Sequence, residues 1–169
     1  MKKITLIIFS IILLHSNNTF SQIVKYQAAY MYNFFSFLEW PASSRTGDFN
    51  IGVLGNDAIV PELQKIAKTK KVISQSIKIL VFNNVNEIKK CHVLFIPKKQ
   101  SSNITKAITK IENWNTLIIS NANDGISKGA AINFVLKNGK LAFELKKSNA
   151  TKYNVKISSN LNKLATKVY

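Results

Sequence analysis

The chain has 169 residues and a strongly basic composition, with 24 Lys and Arg residues against 8 Asp and Glu residues and a formal net charge of +16. A charge of that sign suits nucleic acid, anionic lipid or an acidic protein surface. Readout of nucleic acid is disfavoured because every basic residue except Arg45 is Lys, which lacks the fork of donors that Arg offers to phosphates and guanine edges. A solvated lysine-rich surface and attraction to the cell envelope remain as explanations of the charge.

The first residues have the pattern of a secretory signal peptide. Two lysines precede a mainly apolar run of eleven residues that ends at Leu14, and the small residue Ser21 suits cleavage. The run is shorter than the roughly 20 residues that span a bilayer. We therefore predict a signal peptide over 1–21, cleaved after Ser21, and one exported domain over 22–169, with an uncleaved anchor as the alternative.

Helix and strand patterns alternate along the domain. Helical spacing predicts a helix over 24–38 that ends before Pro41, because the residue before proline disfavours the helical conformation. Short apolar or alternating runs predict strands, and capping residues followed by helical spacing predict helices. The predicted strands lie at 49–54, 76–82, 92–96 and 116–120, and the intervening helices begin near Asp57 and in "SSNITKAITKIENW".

The segment "AINFVLKNGKLAFEL" contains the clearest local signal. Its two alternating runs meet at Asn138-Gly139, a pair that tolerates the positive φ angles of a type I′ turn and therefore predicts a hairpin. A last helix is predicted over 160–168, with Leu161, Leu164 and Val168 on one face and Ser158 or Ser159 as its cap. The whole pattern predicts a single-domain α/β fold, with a mixed β-sheet flanked by helices and a β-hairpin near the C-terminus.

The residue types that carry catalysis or metal binding are sparse. Cys91 is the single cysteine, and it lies with His92 in "CHVLFIP", whose apolar character predicts a buried strand. Adjacent strand residues point to opposite faces, so these two side chains cannot pair as nucleophile and base. "GVLGND" lacks the spacing of a nucleotide loop, and "NANDGISKG" lacks the acidic ligands of a calcium loop. We predict no enzyme activity, no cofactor and no metal.

Near its start, the domain carries the aromatic segment "YNFFSFLEWP". On the predicted helix, one face carries Val24, Ala28, Met31, Phe35 and Leu38, and a second face carries Tyr26, Tyr30, Phe34 and Phe37. A helix that is apolar around so much of its surface either lies between layers of the fold or exposes an aromatic stripe to a partner.

Several segments together resemble the YfiR-like family of exported bacterial regulators. "VKYQAAYMYNFFSFLEWP" is similar to the family's opening helix, and the likeness continues through "FNIGVLGND", "CHVLFI" and the hairpin region to "VKISSNLNKLA". The resemblance implies a periplasmic, noncatalytic regulator that binds the sensor domain of an inner-membrane diguanylate cyclase and holds it inactive, which affects cyclic-di-GMP and biofilm formation. It also implies a homodimer, and an outer-membrane lipoprotein as a second partner.

Three further functions stay open beside that one. The chain could be a periplasmic small-molecule-binding protein, or it could regulate a histidine kinase instead of a cyclase. An exported hydrolase is the third, and it would require a nucleophile and a base within hydrogen-bond reach. The sequence also departs from the family pattern: only Cys91 is present where characterised members use disulfides, Lys146 stands where the family commonly has Asn, and Asn154 stands where it commonly has Gly.

The candidate partner-contact residues lie on the second helical face and at its end. They are Tyr30, Phe34, Phe37, Glu39 and Trp40. Core packing is the alternative role for the aromatic members of this set.

Overall fold

The computed structural model describes residues 20–169. The predicted signal peptide lies outside the described residues except for its last two positions, so the boundary after Ser21 stays a prediction. No helix in the described part of the chain is long and apolar enough to cross a membrane.

Helices and strands alternate along most of the described chain. The α-helices are α1 (20–34), α2 (Ile59–Thr69), α3 (Ile104–Lys110), α4 (Gly125–Lys128), α5 (Lys147–Thr151) and α6 (Ser159–Leu164). The strands are β1 (Leu38–Glu39), β2 (Phe49–Leu54), β3 (Lys71–Val72), β4 (Gln75–Phe82), β5 (Val93–Ile96), β6 (Leu117–Ser120), β7 (Ile132–Lys137), β8 (Lys140–Leu145), β9 (Lys156–Ile157) and β10 (Lys167–Val168). Short 3-10 helices span Phe35–Phe37, Ala42–Ser44, Val85–Glu87 and Lys98–Asn103.

One eight-stranded mixed sheet organises the domain. Its strand order is β10-β8-β7-β6-β5-β2-β4-β3, and a separate two-stranded sheet pairs β1 with β9. The five strands β4, β2, β5, β6 and β7 run parallel, whereas β3 and β8 pair antiparallel with β4 and β7. The predicted α/β class with a mixed sheet flanked by helices is confirmed.

Apolar layers cover both faces of this sheet. β2, β5 and β6 are apolar at nearly every position, as expected for parallel strands that are buried on both faces. One core packs α1 and α2 against the sheet, and a second core packs α3 against the opposite face. Helices therefore flank the sheet on both sides.

The hairpin signal is confirmed by the backbone geometry. Asn138 and Gly139 have φ angles of 52° and 73° between β7 and β8, as a type I′ turn requires. Asn154, which stands where the family commonly has Gly, adopts the left-handed conformation, with φ of 58°. The Asp57 carboxylate accepts the N–H of Ile59 at 3.1 Å, although Ala58 is the residue immediately before α2.

The opening helix differs from its prediction at both ends. It begins at residue 20 and ends at 34, and the chain then passes through a 3-10 turn into β1. Leu38 pairs with Ile157, and the N–H of Ser158 donates to the carbonyl of Phe37. This pairing with a distant strand draws the last predicted turn out of the helix.

The prediction of a final helix over 160–168 was wrong in its second half. α6 ends at Leu164, and the chain becomes extended at Ala165 before it pairs with β8 as β10. Leu161 is fully buried, but Leu164 and Val168 are 60% and 44% exposed, so the three residues do not share one packed face. Ser158 occupies the cap position, yet its side chain makes no capping hydrogen bond.

Candidate partner-binding surface

One face of α1 is committed to the core. Val24, Ala28 and Met31 are buried on α1, and Phe35 and Leu38, which the helical spacing placed on the same face, are buried just beyond its end. The Phe35 ring lies 4.8 Å from the ring of Phe49 on β2. This face holds α1 on the sheet and is closed to a partner.

The aromatic face of α1 divides into an exposed half and a buried half. Tyr26 and Tyr30 are 53% and 36% exposed, whereas Phe34 is 4% exposed. The Phe34 ring centroid lies 4.7 Å from that of Phe143 and 5.8 Å from that of Phe134. Phe34 therefore packs on β7 and β8, and the tyrosines one and two turns earlier form the accessible part of the face.

A groove runs between the start of α1 and the β7–β8 hairpin. It has a volume of about 550 Å³ and lies where the parallel strands end, so that residues after β2, β5 and β6 reach it. Apolar side chains dominate its walls, and the polar side chains of Asp57, Lys98 and Asn121 reach its edge. A second depression of about 430 Å³ lies on the other side of Ile23 and Leu141 and is lined by Tyr26 and Tyr30. We call these two depressions together the α1–hairpin groove.

Glu39 and Trp40 form the corner at which the chain leaves α1. Trp40 is 5% exposed, packs against Phe49 at 5.0 Å and donates its indole N–H to the carbonyl of His92 at 3.3 Å. Glu39 is exposed and pairs with Arg45 at 2.7 Å. The Arg45 side chain also donates to the carbonyl of Trp40 at 2.8 Å, which fixes the corner.

The five candidate contact residues therefore have different accessibility. Tyr30 and Glu39 are exposed, Phe37 is partly buried, and Phe34 and Trp40 are buried in the core. The structure brings Tyr30 together with Tyr26 in the α1–hairpin groove, whereas Glu39 lies at the opposite end of the helical segment. The burial of Phe34 and Trp40 matches the core-packing role.

His92 has a structural arrangement of hydrogen bonds. Its Nδ1 accepts the backbone N–H of Asn50 at 3.0 Å, and its Nε2 lies 2.7 Å from the carbonyl oxygen of Ser44, to which the neutral ring can donate. The ring stacks on Phe49 with centroids 4.4 Å apart. Burial lowers the pKa of His92, helped by the positive charge of Lys90 and opposed by the hydrogen bond to Ser44.

Cys91 is buried among apolar side chains. Burial raises the pKa of its thiol to about 12, although hydrogen bonds with Gly52 and Thr116 partly oppose the rise. Because the thiolate is the reactive form, this cysteine is inert as a nucleophile in the folded chain. Cys91 therefore behaves as a small hydrophobic residue of the core.

The two polar loops examined in the sequence have local structural roles. Gly55 has a φ of 81° at the turn after β2, and its N–H donates to the carbonyl of Phe82. In "NANDGISKG", Asn121 accepts the N–H of Lys98 at 2.6 Å, and Asp124 pairs with Lys128 at 2.8 Å. The hydrogen bond from Lys128 lowers the pKa of Asp124. Within residues 20–169, no three His, Cys, Asp or Glu side chains come together as metal ligands would.

A further exposed surface was missed by sequence reasoning. The turn between β3 and β4 places Ile73 at its tip, 88% exposed and with a φ of 55°. The pair Ile73-Ser74 contains neither Gly nor Asn, so the usual composition signal of a two-residue hairpin turn is missing. β4 then continues with its outer edge largely uncovered in the described part of the chain.

The fold and its surfaces define a class: a single α/β domain whose described polar clusters serve structure and whose accessible features are grooves and edges. The chain belongs to the YfiR/HmsC-like family, whose sequence profile matches residues 24–166. Members of this family are regulators rather than catalysts, and they are generally periplasmic. The resemblance read from the sequence motifs is thereby confirmed.

Comparison of structures supports the fold. The chain is similar to the crystal structure of a conserved domain protein from Vibrio cholerae O1 biovar El Tor strain N16961, with a TM-score of 0.59 and 12% sequence identity. The similarity covers 86% of this chain and 60% of that one, so the chain spans less than two thirds of the length of that protein. No curated protein matches the sequence.

Proposed function

We propose that this protein is an exported, noncatalytic regulator that binds the periplasmic domain of an inner-membrane signalling protein and holds it inactive. Membership of the YfiR/HmsC-like family over residues 24–166 is the observation that carries the proposal. The partner is a sensor of the diguanylate cyclase type, so that the output is cyclic-di-GMP and biofilm formation. A histidine kinase is the alternative partner.

The state of Cys91 and His92 supports a noncatalytic role. The thiol is buried with a raised pKa, and both His92 nitrogens are engaged with the backbone of the fold. A nucleophile and base must instead approach each other within hydrogen-bond reach and face a substrate. These two side chains serve packing and loop anchoring.

The regulator acts by shifting the population of receptor states. A bound protein shifts a two-state receptor only by the difference between its affinities for the two states. A shift from mostly active to mostly inactive requires about 10⁴-fold preference for the inactive state. Strong binding that does not discriminate between the states would leave signalling unchanged.

Site-specific photo-crosslinking in the native cell envelope tests this function. A photoreactive side chain at Tyr30 is expected to capture a membrane sensor, while the same side chain at Leu164 on α6 is the exposed control. A deletion strain is expected to contain more cyclic-di-GMP. Failure to capture any membrane sensor, together with unchanged cyclic-di-GMP, would contradict the proposal, and capture of a kinase would reassign the partner.

Two partner interactions accompany this proposal. A homodimer would present two copies of the binding surface to a dimeric sensor, and an outer-membrane lipoprotein would release the sensor by competing for the regulator. Light scattering of the purified protein tests the first, and pull-down of the regulator with outer-membrane lipoproteins tests the second. A monomer at all concentrations contradicts the dimer.

Small-molecule binding is the second candidate function, and the α1–hairpin groove favours it. The larger depression, of about 550 Å³, falls within the usual range of ligand pockets and lies at the carboxyl ends of parallel strands, where α/β sheets commonly bind ligands. A thermal-shift screen of periplasmic metabolites, repeated with Leu141→Arg to fill the groove, tests this function. A flat screen with both proteins would count against it.

A further inference from the structure

The outer edge of β4 is an uncovered strand edge within residues 20–169. β4 pairs with β2 in parallel along Ile77–Phe82, whereas β3 covers only Ser76 and Gln75 on the other side. The carbonyl of Phe82 accepts the N–H of Gly55 on the β2 side. Because successive residues of a strand direct their backbone groups to opposite edges, Ile79 and Val81 present N–H and C=O groups outward, whereas Ile77 lies beside the end of β3 and is only 5% exposed.

The side chains at this edge do not protect it. Val81 is 42% exposed, and its neighbours Ile79 and Leu80 are partly exposed. Natural edge strands are commonly blocked by charged residues, proline or a bulge, and β4 has a single lysine, Lys78, along the uncovered stretch. A regular, apolar edge of this kind is a template for another strand.

Ile73 marks one end of the same edge with two unfavourable features. It is 88% exposed, and its φ of 55° is a conformation that a β-branched residue rarely adopts. At each of the other positive-φ positions found in residues 20–169 the chain uses Gly or Asn. Because Ile73 is both strained and exposed, its side chain adds little to the packing of its own chain and is accessible for contact.

The charge around the edge selects the kind of strand that it accepts. Residues 62–87 contain five lysines and two acidic residues, Glu62, which pairs with Lys65, and Glu87, which accepts the N–H of Asn83 just after β4. Of these lysines, Lys70 immediately precedes β3, Lys71 lies in β3 and Lys78 lies in β4, and all three are exposed. A second copy of the chain would bring the same basic stretch against itself, whereas an acidic segment would be attracted to it.

We propose that the outer edge of β4, bounded by Ile73, docks an extended acidic segment of a protein partner as an added strand. This inference rests on the proposed function, because it gives the signalling partner a second contact surface, several strands away from the hairpin beside Tyr30, and a chemistry. Backbone hydrogen bonds to Ile79 and Val81 supply the pairing, the exposed apolar side chains supply the contact area, and the lysines select for acidic side chains.

Hydrogen exchange with a synthetic peptide tests the docking without any cellular partner. The probe is a peptide of alternating Val and Glu, and the control probe has Lys in place of Glu. The Val/Glu peptide is expected to slow exchange of the Ile79 and Val81 amides by about tenfold or more. The Leu80 amide, which faces β2, should change little, and the Val/Lys peptide should protect none of them.

Reversing the charge of the lysines at the edge tests whether they set the preference for an acidic peptide. A variant with Lys70→Glu, Lys71→Glu and Lys78→Glu is expected to lose protection by the Val/Glu peptide and to gain it from the Val/Lys peptide. Lys137→Glu with Lys140→Glu, on the distant hairpin, should leave the preference unchanged. Equal protection by both peptides, or none at millimolar concentration, would overturn the proposal.

Two other outcomes distinguish docking of an acidic segment from self-association of the chain and from the regulator function. If the outward β4 amides are protected in the protein alone, and more so at higher protein concentration, the occupant is a second copy and the acidic-segment proposal is wrong. The regulator function is tested separately by the crosslinking in the cell envelope, and that experiment does not depend on β4. Peptide docking without a membrane partner would therefore leave the edge assigned and the function overturned.

Discussion

The backbone N–H of Asn50 donates to Nδ1 of His92 at 3.0 Å, which ties the start of β2 to the residue before β5. On the other side of the ring, Nε2 lies 2.7 Å from the carbonyl oxygen of Ser44. This arrangement requires a neutral imidazole with its proton on Nε2, because a protonated Nδ1 cannot accept the N–H of Asn50. The His92 ring therefore makes both hydrogen bonds together only while it is uncharged.

Stability is expected to fall as His92 becomes protonated. Burial lowers its pKa in the folded state below the ordinary value of 6.5, so the unfolded chain binds more protons in the interval between the two pKa values. The free energy of unfolding should be highest above pH 6.5 and should decrease as the pH falls toward the pKa of the folded state. Denaturant unfolding at a series of pH values between 5 and 8 measures this, in the range where His titrates.

His92→Gln is the control for this dependence. It should lower stability at pH 8 and flatten the decrease below pH 6.5, because the glutamine amide does not titrate. Residues 22–169 contain no other histidine, so the remaining slope belongs to carboxylates at lower pH. An unchanged pH profile in the variant would show that His92 is not the group responsible.

Trp40 is expected to act as a core residue. It is 5% exposed and packs against Phe35 and Phe49. Trp40→Ala should lower the free energy of unfolding by about 3 to 5 kcal/mol. Tyr26→Ala, at the exposed end of α1, is the matched control and should change stability by about 0.5 kcal/mol or less. Equilibrium denaturation of both variants checks this. If Trp40→Ala hardly changed the free energy of unfolding, Trp40 would not be a core residue and would again be a candidate for partner contact.

The sequence predicted the elements that depend on neighbouring residues. The hairpin at Asn138 and the buried strand 92–96 follow from turn chemistry and from an apolar run, and both are local signals. The end of the chain depends on a distant partner: Thr166 donates its N–H to the carbonyl of Phe143, and this pairing replaces the predicted helix with β10. Helical spacing contains no information about such a pairing.

The candidate partner-binding surface likewise depends partly on local sequence and partly on distant strands. Helical periodicity placed Tyr30 and Phe34 on one face, which is correct for the helix itself. Which of them is exposed is decided by Phe134 and Phe143 on distant strands, whose rings cover Phe34. The exposed edge of β4 likewise could not be predicted from the sequence, because the order of strands in a sheet is a property of the whole fold.

Ile73→Asn is expected to stabilise the protein. Asn adopts a positive φ with less strain than a β-branched residue, and the Ile73 side chain is 88% exposed, so little packing is lost. The free energy of unfolding should rise by about 1 kcal/mol. The reverse substitution, Asn138→Ile at φ of 52°, should lower it by a similar amount. Urea denaturation measures both, and loss of stability in Ile73→Asn would mean that the isoleucine packs in a way its exposure does not indicate.

Cys91 is expected to resist thiol reagents while the chain is folded. Its pKa of about 12 leaves a negligible fraction of thiolate at neutral pH, and its side chain is 4% exposed. Labelling with iodoacetamide should therefore proceed only through unfolding, so that the rate rises with urea in parallel with the unfolded fraction. Trp40→Ala should accelerate labelling in native buffer, because it raises that fraction without touching the cysteine. Rapid labelling of the stable wild-type protein would instead reveal a local opening between β2 and β5, and would make Cys91 available for redox chemistry that its burial otherwise prevents.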